Sequence, residues 1–177
     1  DEIYQALADG VADGAPLGNG HTYSAHPVSA AIALEVLRLY EEGGVLANGI
    51  AQAPRFEKGL QALKRHPLVG DARSRGLLGA LELVADKSTK RGFDPALRLS
   101  DRTAEIAYRN GLIFRAFGDN ILGFAPALCY TAREFDLLFE RLEKILDEIA
   151  SIPEVRAAMG GPGFHAAAPP QNRIAAS

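Results

Sequence analysis

Apolar positions fall into a few stretches of recognisable period along this 177-residue chain. Residues 1 to 9 put Ile3, Ala6 and Leu7 on one face of a short, mildly amphipathic helix. Gly10, Gly14, Gly18 and Gly20 then interrupt any regular structure. From Val28 to Tyr40 nearly every position is apolar, and only Glu35, Arg38 and Glu42 make a polar stripe. That pattern predicts a helix buried on most of its circumference, lying inside something larger and stopped by Gly43-Gly44. Leu46, Ile50, Ala53, Phe56, Leu60 and Leu63 recur at steps of three and four. They predict a helix from Val45 to about Arg65, which Pro54 should kink or divide because it removes a backbone donor.

The run from Leu77 to Val84 is short, almost wholly apolar and preceded by Gly76, which predicts a strand covered on both faces. Asp86 to Arg98 reads as a polar excursion. Ser100 can cap a helix ending at Asn110-Gly111. Leu112 to Ala116 and Ile121 to Phe124 then predict a hairpin around the turn Gly118-Asp119-Asn120. The last helix has the clearest signals. Thr131 and Glu134 form a T-x-x-E capping box, and Phe135, Leu138, Phe139, Leu142, Ile145, Leu146 and Ile149 make one apolar stripe. Beyond Ile152 the periodicity vanishes into Ala, Gly and Pro, so 153–177 reads as a loosely held tail. Strands alternating with helices, with one antiparallel hairpin, predict an α/β layer: a small α+β domain whose few-stranded sheet is covered by helices.

Charge narrows the partners. The net charge of -3 arises from interspersed acids and bases, so no basic field exists to concentrate nucleic acid or an anionic membrane surface. No apolar run approaches the roughly 20 residues that span a bilayer, and Asp1-Glu2 is unlike a signal peptide. A soluble, cytoplasmic protein is expected. The single cysteine, Cys129, cannot form an internal disulfide, and its neighbours Ala127 and Leu128 predict a small buried side chain. The chain has no initiator methionine and opens in what reads as the middle of a fold, so a piece of a longer polypeptide is expected.

Three places could carry chemistry. In Gly18-Asn19-Gly20-His21-Thr22-Tyr23-Ser24-Ala25-His26-Pro27, glycines allow close backbone approach and hydroxyls supply donors just ahead of a long helix. Such a stretch suits a phosphate, and its composition alone favours a glycine-rich turn with a helix cap. His21 and His26 lack acidic or cysteine ligands at matching spacing, so no metal is expected. Arg115 stands inside the apolar stretch Leu112 to Phe117, where a guanidinium is costly to bury unless an anion meets it. An incoming carboxylate would serve, as would a protein carboxylate or water at a strand end. Arg73-Ser74-Arg75-Gly76 reads as an exposed loop. No serine-histidine-acid set and no paired general acid and base is evident, so these residues by themselves imply an anion-binding α/β domain and no reaction.

Three stretches nevertheless resemble one family in order and spacing. H-T-Y-S-A-H-P (His21 to Pro27) with the small-residue helix after it resembles the T-Y-S-G-H-P region of class III aminotransferases. V-G-D-A-R-S-R-G-L-L-G-A-L-E-L-V (Val69 to Val84) resembles the family's R-G-x-G-L-x-x-G-x-E segment. Gly111 to Leu128 resembles its C-terminal strand pair, with the R-x-x-G-D of the ω-amino acid or amine:pyruvate branch at Arg115 to Asp119.

The resemblance implies the C-terminal portion of a fold-type I enzyme dependent on pyridoxal 5'-phosphate, working as a homodimer and moving an amino group from an amine or ω-amino acid to pyruvate or another keto acid. It implies that Thr22 binds the cofactor phosphate of the partner subunit, that His21 lines that pocket, and that Arg115 pairs with the substrate carboxylate. Residues 1–43 would be the end of the large cofactor domain with a linking helix, 44–152 the small C-terminal domain, and 153–177 a tail. Ala25 departs from the family by standing where glycine is usual. The family's Schiff-base lysine lies N-terminal to the segment matching residue 1. Lys58, Lys64, Lys87, Lys90 and Lys144 fall on polar faces or in the charged excursion, where desolvation could not lower their pKa. The chain alone is therefore expected not to transaminate. A different class of reading, a non-catalytic dimerisation or anion-binding remnant of the same fold, stays open at this point.

Overall fold

The computed structural model describes residues 1–12, 22, 24–117 and 120–160. The chain divides into two compact units, Asp1–Gly43 and Gly44–Ser177. The first holds α1 (Glu2–Ala12) and α2 (Pro27–Glu41). α2 starts where expected, with Pro27 at its first turn and the His26 side chain accepting from the Ser29 N–H at 3.3 Å. Its burial departs from expectation, since no residue of α2 is buried and Ile32 is 60% exposed. An apolar periodicity declares what a helix would bury, and whether that face is covered depends on the surfaces it meets.

In the second unit, α3 (Val45–Leu63) is followed by β1 (Val69–Arg75), β2 (Leu78–Leu83), a single 3-10 turn (Pro95–Leu97), α4 (Leu99–Arg109), β3 (Arg115–Phe117), β4 (Ile121–Phe124), α5 (Ala132–Ser151) and α6 (Pro153–Ala158). The four strands form one antiparallel sheet in the order β1-β2-β4-β3. This is the few-stranded sheet with helices that the sequence implied. β1 is new, because Arg73–Arg75 belongs to a strand hairpinned to β2 rather than to an exposed loop. Gly76, at φ +59°, makes the turn that a residue with a Cβ adopts only under strain.

Registry sorts the sheet into two faces. Ala72, Leu81 and Leu122 share the inner face with Gly79 and Phe124, and a Cβ on Gly79 would run into Leu60 and Phe56 of α3. The core lies on this side: Phe56, Leu60 and Leu63 of α3 with Phe135, Leu142 and Leu146 of α5. The expectation that Leu77 to Val84 is covered on both faces therefore fails at Leu78, which is exposed. The outer face carries the row Arg73, Ala80, Gly123, Arg115, one residue from each strand.

Several local expectations change for local reasons. α3 runs unbroken through Pro54. Pro54 is exposed and the residue four before it, Ile50, is 76% exposed, so water can satisfy the carbonyl that loses its partner. The helix's buried stripe is Gly49, Phe56, Leu60 and Leu63, without Leu46 or Ile50. Arg98, not Ser100, is the N-cap of α4, and the Ser100 hydroxyl donates to the Phe117 carbonyl instead. Thr131 and Glu134 form the reciprocal cap of α5 as expected. The first residues of the predicted tail are helical, and Val155 of α6 is buried in the core. Cys129 is exposed rather than buried; it lies in a turn closed by the Tyr130 N–H donating to the Ala127 carbonyl at 3.0 Å.

Candidate anion-binding site

β3 and its approach bring Arg115 to the wall of a cleft of about 680 Å³, shared by residues 111–115, residues 123–127, Tyr130 and Leu138 of α5. The wall is mostly hydrocarbon. Phe114 packs on Phe124 with ring centroids 5.0 Å apart, and Asn48 of α3 ties the Leu128 and Tyr130 carbonyls at 2.6 and 3.0 Å, which fixes the segment that closes one side. Arg115 is exposed, lies opposite Gly123 in the ladder, and sets its guanidinium 5.4 Å from the centre of the Phe117 ring.

The two arginines that end the outer row differ. Arg73 is bound by Glu82 and Asp71, each at 3.1 Å, and these carboxylates, Glu82 first, raise its pKa further above the usual guanidinium value. Among the described residues no carboxylate pairs with Arg115. A guanidinium with no carboxylate partner among the described residues, beside an apolar cleft, is suited to a bidentate carboxylate.

Thr22 belongs to the other unit and is described by itself. It is exposed, in the turn that precedes α2. The helix cap is provided by His26, so the Thr22 hydroxyl is not the group that caps α2. Ala25 has φ +56°, a left-handed conformation that costs a residue with a Cβ about 1–2 kcal/mol, which is the physical reason that glycine suits this position. His21 lies outside the described residues.

One of the five lysines departs from the expectation. Lys58, Lys64, Lys90 and Lys144 are exposed. Lys87 is half-buried, and burial first, then the charge of Lys64, pulls its pKa below the usual lysine value. Its ammonium donates to the Lys64 carbonyl at 2.6 Å at the end of α3, and it is not among the residues lining the Arg115 cleft. Sequence reasoning also passed over Phe117 and Gly123. Two residues apart on one strand, Arg115 and Phe117 must share a face, so that pairing was legible; the approach of Gly123 depends on the β3/β4 register.

Comparison with known proteins identifies the family. The family model for class III aminotransferases matches residues 1–146. Putrescine–pyruvate aminotransferase of Pseudomonas aeruginosa is 40% identical over 153 residues, covering 85% of this chain and 32% of its own. The ω-transferase of Vibrio fluvialis JS17 superposes with a TM-score of 0.72 at 34% identity, covering 89% of this chain and 37% of its own. An ω-transaminase of Pseudomonas jessenii in complex with PMP superposes with a TM-score of 0.69 at 34% identity, covering 85% and 33%. The chain spans about a third of the length of the curated relatives it matches. By the extent of the family match and by these identities, the chain belongs to the class III aminotransferases.

Proposed function

We propose that this chain is the C-terminal portion of an aminotransferase dependent on pyridoxal 5'-phosphate, contributing phosphate binding and the substrate-carboxylate clamp to transfer of an amino group from an amine or ω-amino acid to pyruvate or another keto acid. The observation that carries this reading is Arg115: a guanidinium without a carboxylate partner among the described residues, on the wall of an apolar cleft. When bound, the cofactor supplies the electron sink for the carbanion formed at the substrate carbon. This chain's residues bind and orient. Arg115 holds the substrate carboxylate by charge-assisted hydrogen bonds from a guanidinium that lies over the Phe117 ring.

The residues present fit the cofactor's phosphate as far as they are described. Thr22 offers an exposed hydroxyl donor just ahead of the 15-residue helix α2, whose N-terminal end favours negative charge. Thr22 and His21 would contribute to the phosphate pocket of the partner subunit in a homodimer. The bare apolar surface of α2 supports an assembly in which further polypeptide covers it. We place residues 1–43 at the end of the large cofactor domain and 44–152 in the small domain. Among the described residues no helix is long and apolar enough to cross a membrane, and a free, exposed Cys129 suits the reducing cytoplasm.

Two measurements test the reading. Arg115→Ala in the enzyme that carries this chain is expected to lower kcat/KM toward pyruvate by roughly 10- to 100-fold, the worth of a lost charge-assisted bidentate bond. Unchanged pyruvate kinetics would remove the carboxylate clamp. The chain's five lysines do not reach the cleft lining, so the 177-residue chain with pyridoxal phosphate, an amine and pyruvate is expected to form no alanine beyond the cofactor-only rate. Alanine above that background would show that the chain is active alone.

A further inference from the structure

Alternation along β3 places Arg115 and Phe117 on the same outer face, and the antiparallel register sets Arg115 opposite Gly123 and Phe117 opposite Ile121. The Phe117 ring leans back over the strand toward Gly123, where an added Cβ would come within 2.9 Å of its Cε2. Gly123 has no left-handed φ, so what glycine provides at this position is space. The backbone of Phe117 is held independently by the Ser100 hydroxyl of α4, which donates to its carbonyl. Over the ring so placed sits the Arg115 guanidinium, 5.4 Å from the centroid.

We propose that Phe117 is a positioning residue for Arg115, and that Gly123 is the space that lets its ring lie under the guanidinium. The proposal rests on the reading of Arg115 as the carboxylate clamp. The contact between a guanidinium and an aromatic face uses the π surface of the cation and leaves its N–H edge free. Such a partner can therefore pre-order the side chain without competing with a carboxylate, whereas a carboxylate partner, as at Arg73, occupies the donors. An arginine loses much rotamer freedom when it binds. A ring that removes part of that freedom beforehand strengthens recognition of molecules bearing a carboxylate, and does less for an amine that has none. Phe117 thereby contributes to the choice between the two substrate classes.

The test uses the enzyme that carries this chain, with Phe117→Leu, Phe117→Tyr, Gly123→Ala and Arg115→Ala compared. Binding of benzoate, an unreactive carboxylate, is measured by calorimetry beside the KM for pyruvate and the KM for an amine without a carboxylate. Phe117→Leu is expected to weaken benzoate binding and raise the pyruvate KM by about 2- to 5-fold, the worth of an exposed cation–π contact, while the amine KM moves less. Phe117→Tyr keeps the aromatic face and restores both values; Gly123→Ala displaces the ring and acts in the direction of Phe117→Leu. Benzoate binding that is unchanged in Phe117→Leu, a tyrosine that fails to rescue, or an equal fall in kcat for all substrates overturns the proposal. If Arg115→Ala weakens benzoate and Phe117→Leu does not, the positioning role alone fails. If Arg115→Ala has no effect, the clamp fails and this inference with it.

Discussion

Leu122→Asp is expected to cost on the order of 4 kcal/mol or more at pH 7, among the largest effects a single exchange can have. Leu122 is 1% exposed, in the middle of β4, flanked by Leu81 on one strand and Ala116 on the other. Among the described residues the only buried polar side chain is that of Thr103, so the new carboxylate meets hydrocarbon. Desolvation disfavours its charged form and raises its folded-state pKa above the unfolded value of about 3.9. A carboxyl shifted upward in this way does least harm below the unfolded pKa, and its cost grows as pH rises through the folded pKa. Urea unfolding of the variant and the parent chain at pH 4 and pH 7 should therefore show a smaller stability difference at pH 4. Leu122→Asn, equally polar but without a charge to lose, should show the same difference at both. A pH-independent cost for the aspartate would mean that water or a cation reaches the site. Because β4 is the strand that pairs with β3, this exchange should also dislodge Arg115.

Phe56→Ala is expected to remove about 3–5 kcal/mol. Phe56 is fully buried on α3, with its ring 5.7 Å from that of Phe135 and 6.2 Å from that of Phe139. Its far side faces Gly79, which has no side chain to fill a void. The cost therefore contains a cavity term as well as the lost transfer energy, since the backbone of β2 is held by ladders on both edges and cannot collapse freely. Phe56→Leu retains most of the volume and should lose much less. Chemical denaturation reads both. A loss in Phe56→Ala no greater than in Phe56→Leu would show that the sheet relaxes onto α3, contrary to this packing.

Both exchanges act on the scaffold that presents the cleft, and parts of that scaffold were readable in the chain. α5 was, because its signals are local: the Thr131 and Glu134 cap closes within one turn, and the stripe from Phe135 to Ile149 repeats within four residues. The β3/β4 hairpin was readable for the same reason, with its strands close in sequence, although its first strand, expected over Leu112 to Ala116, runs Arg115–Phe117. β1 was not. V-G-D-A-R-S-R carries three charges in seven residues, and as an edge strand it is held by its ladder to β2 more than by apolar alternation of its own. The cap at Ser100 was misread because a serine before a helix has two uses, and the Phe117 carbonyl took the hydroxyl.

What the residue order settled by itself was whatever depends on neighbours three or four positions apart: the longer helices, though not α6, the capping box, the hairpin, and, through three ordered motifs, the aminotransferase family. Tertiary structure decided what depends on partners far along the chain. It left α2 bare, exposed Cys129, carried α3 past Pro54, paired Arg73 with Glu82 and left Arg115 over Phe117. The physical reason is that burial and ion pairing depend on which surfaces meet, and the strand register that makes them meet is a property of the whole sheet.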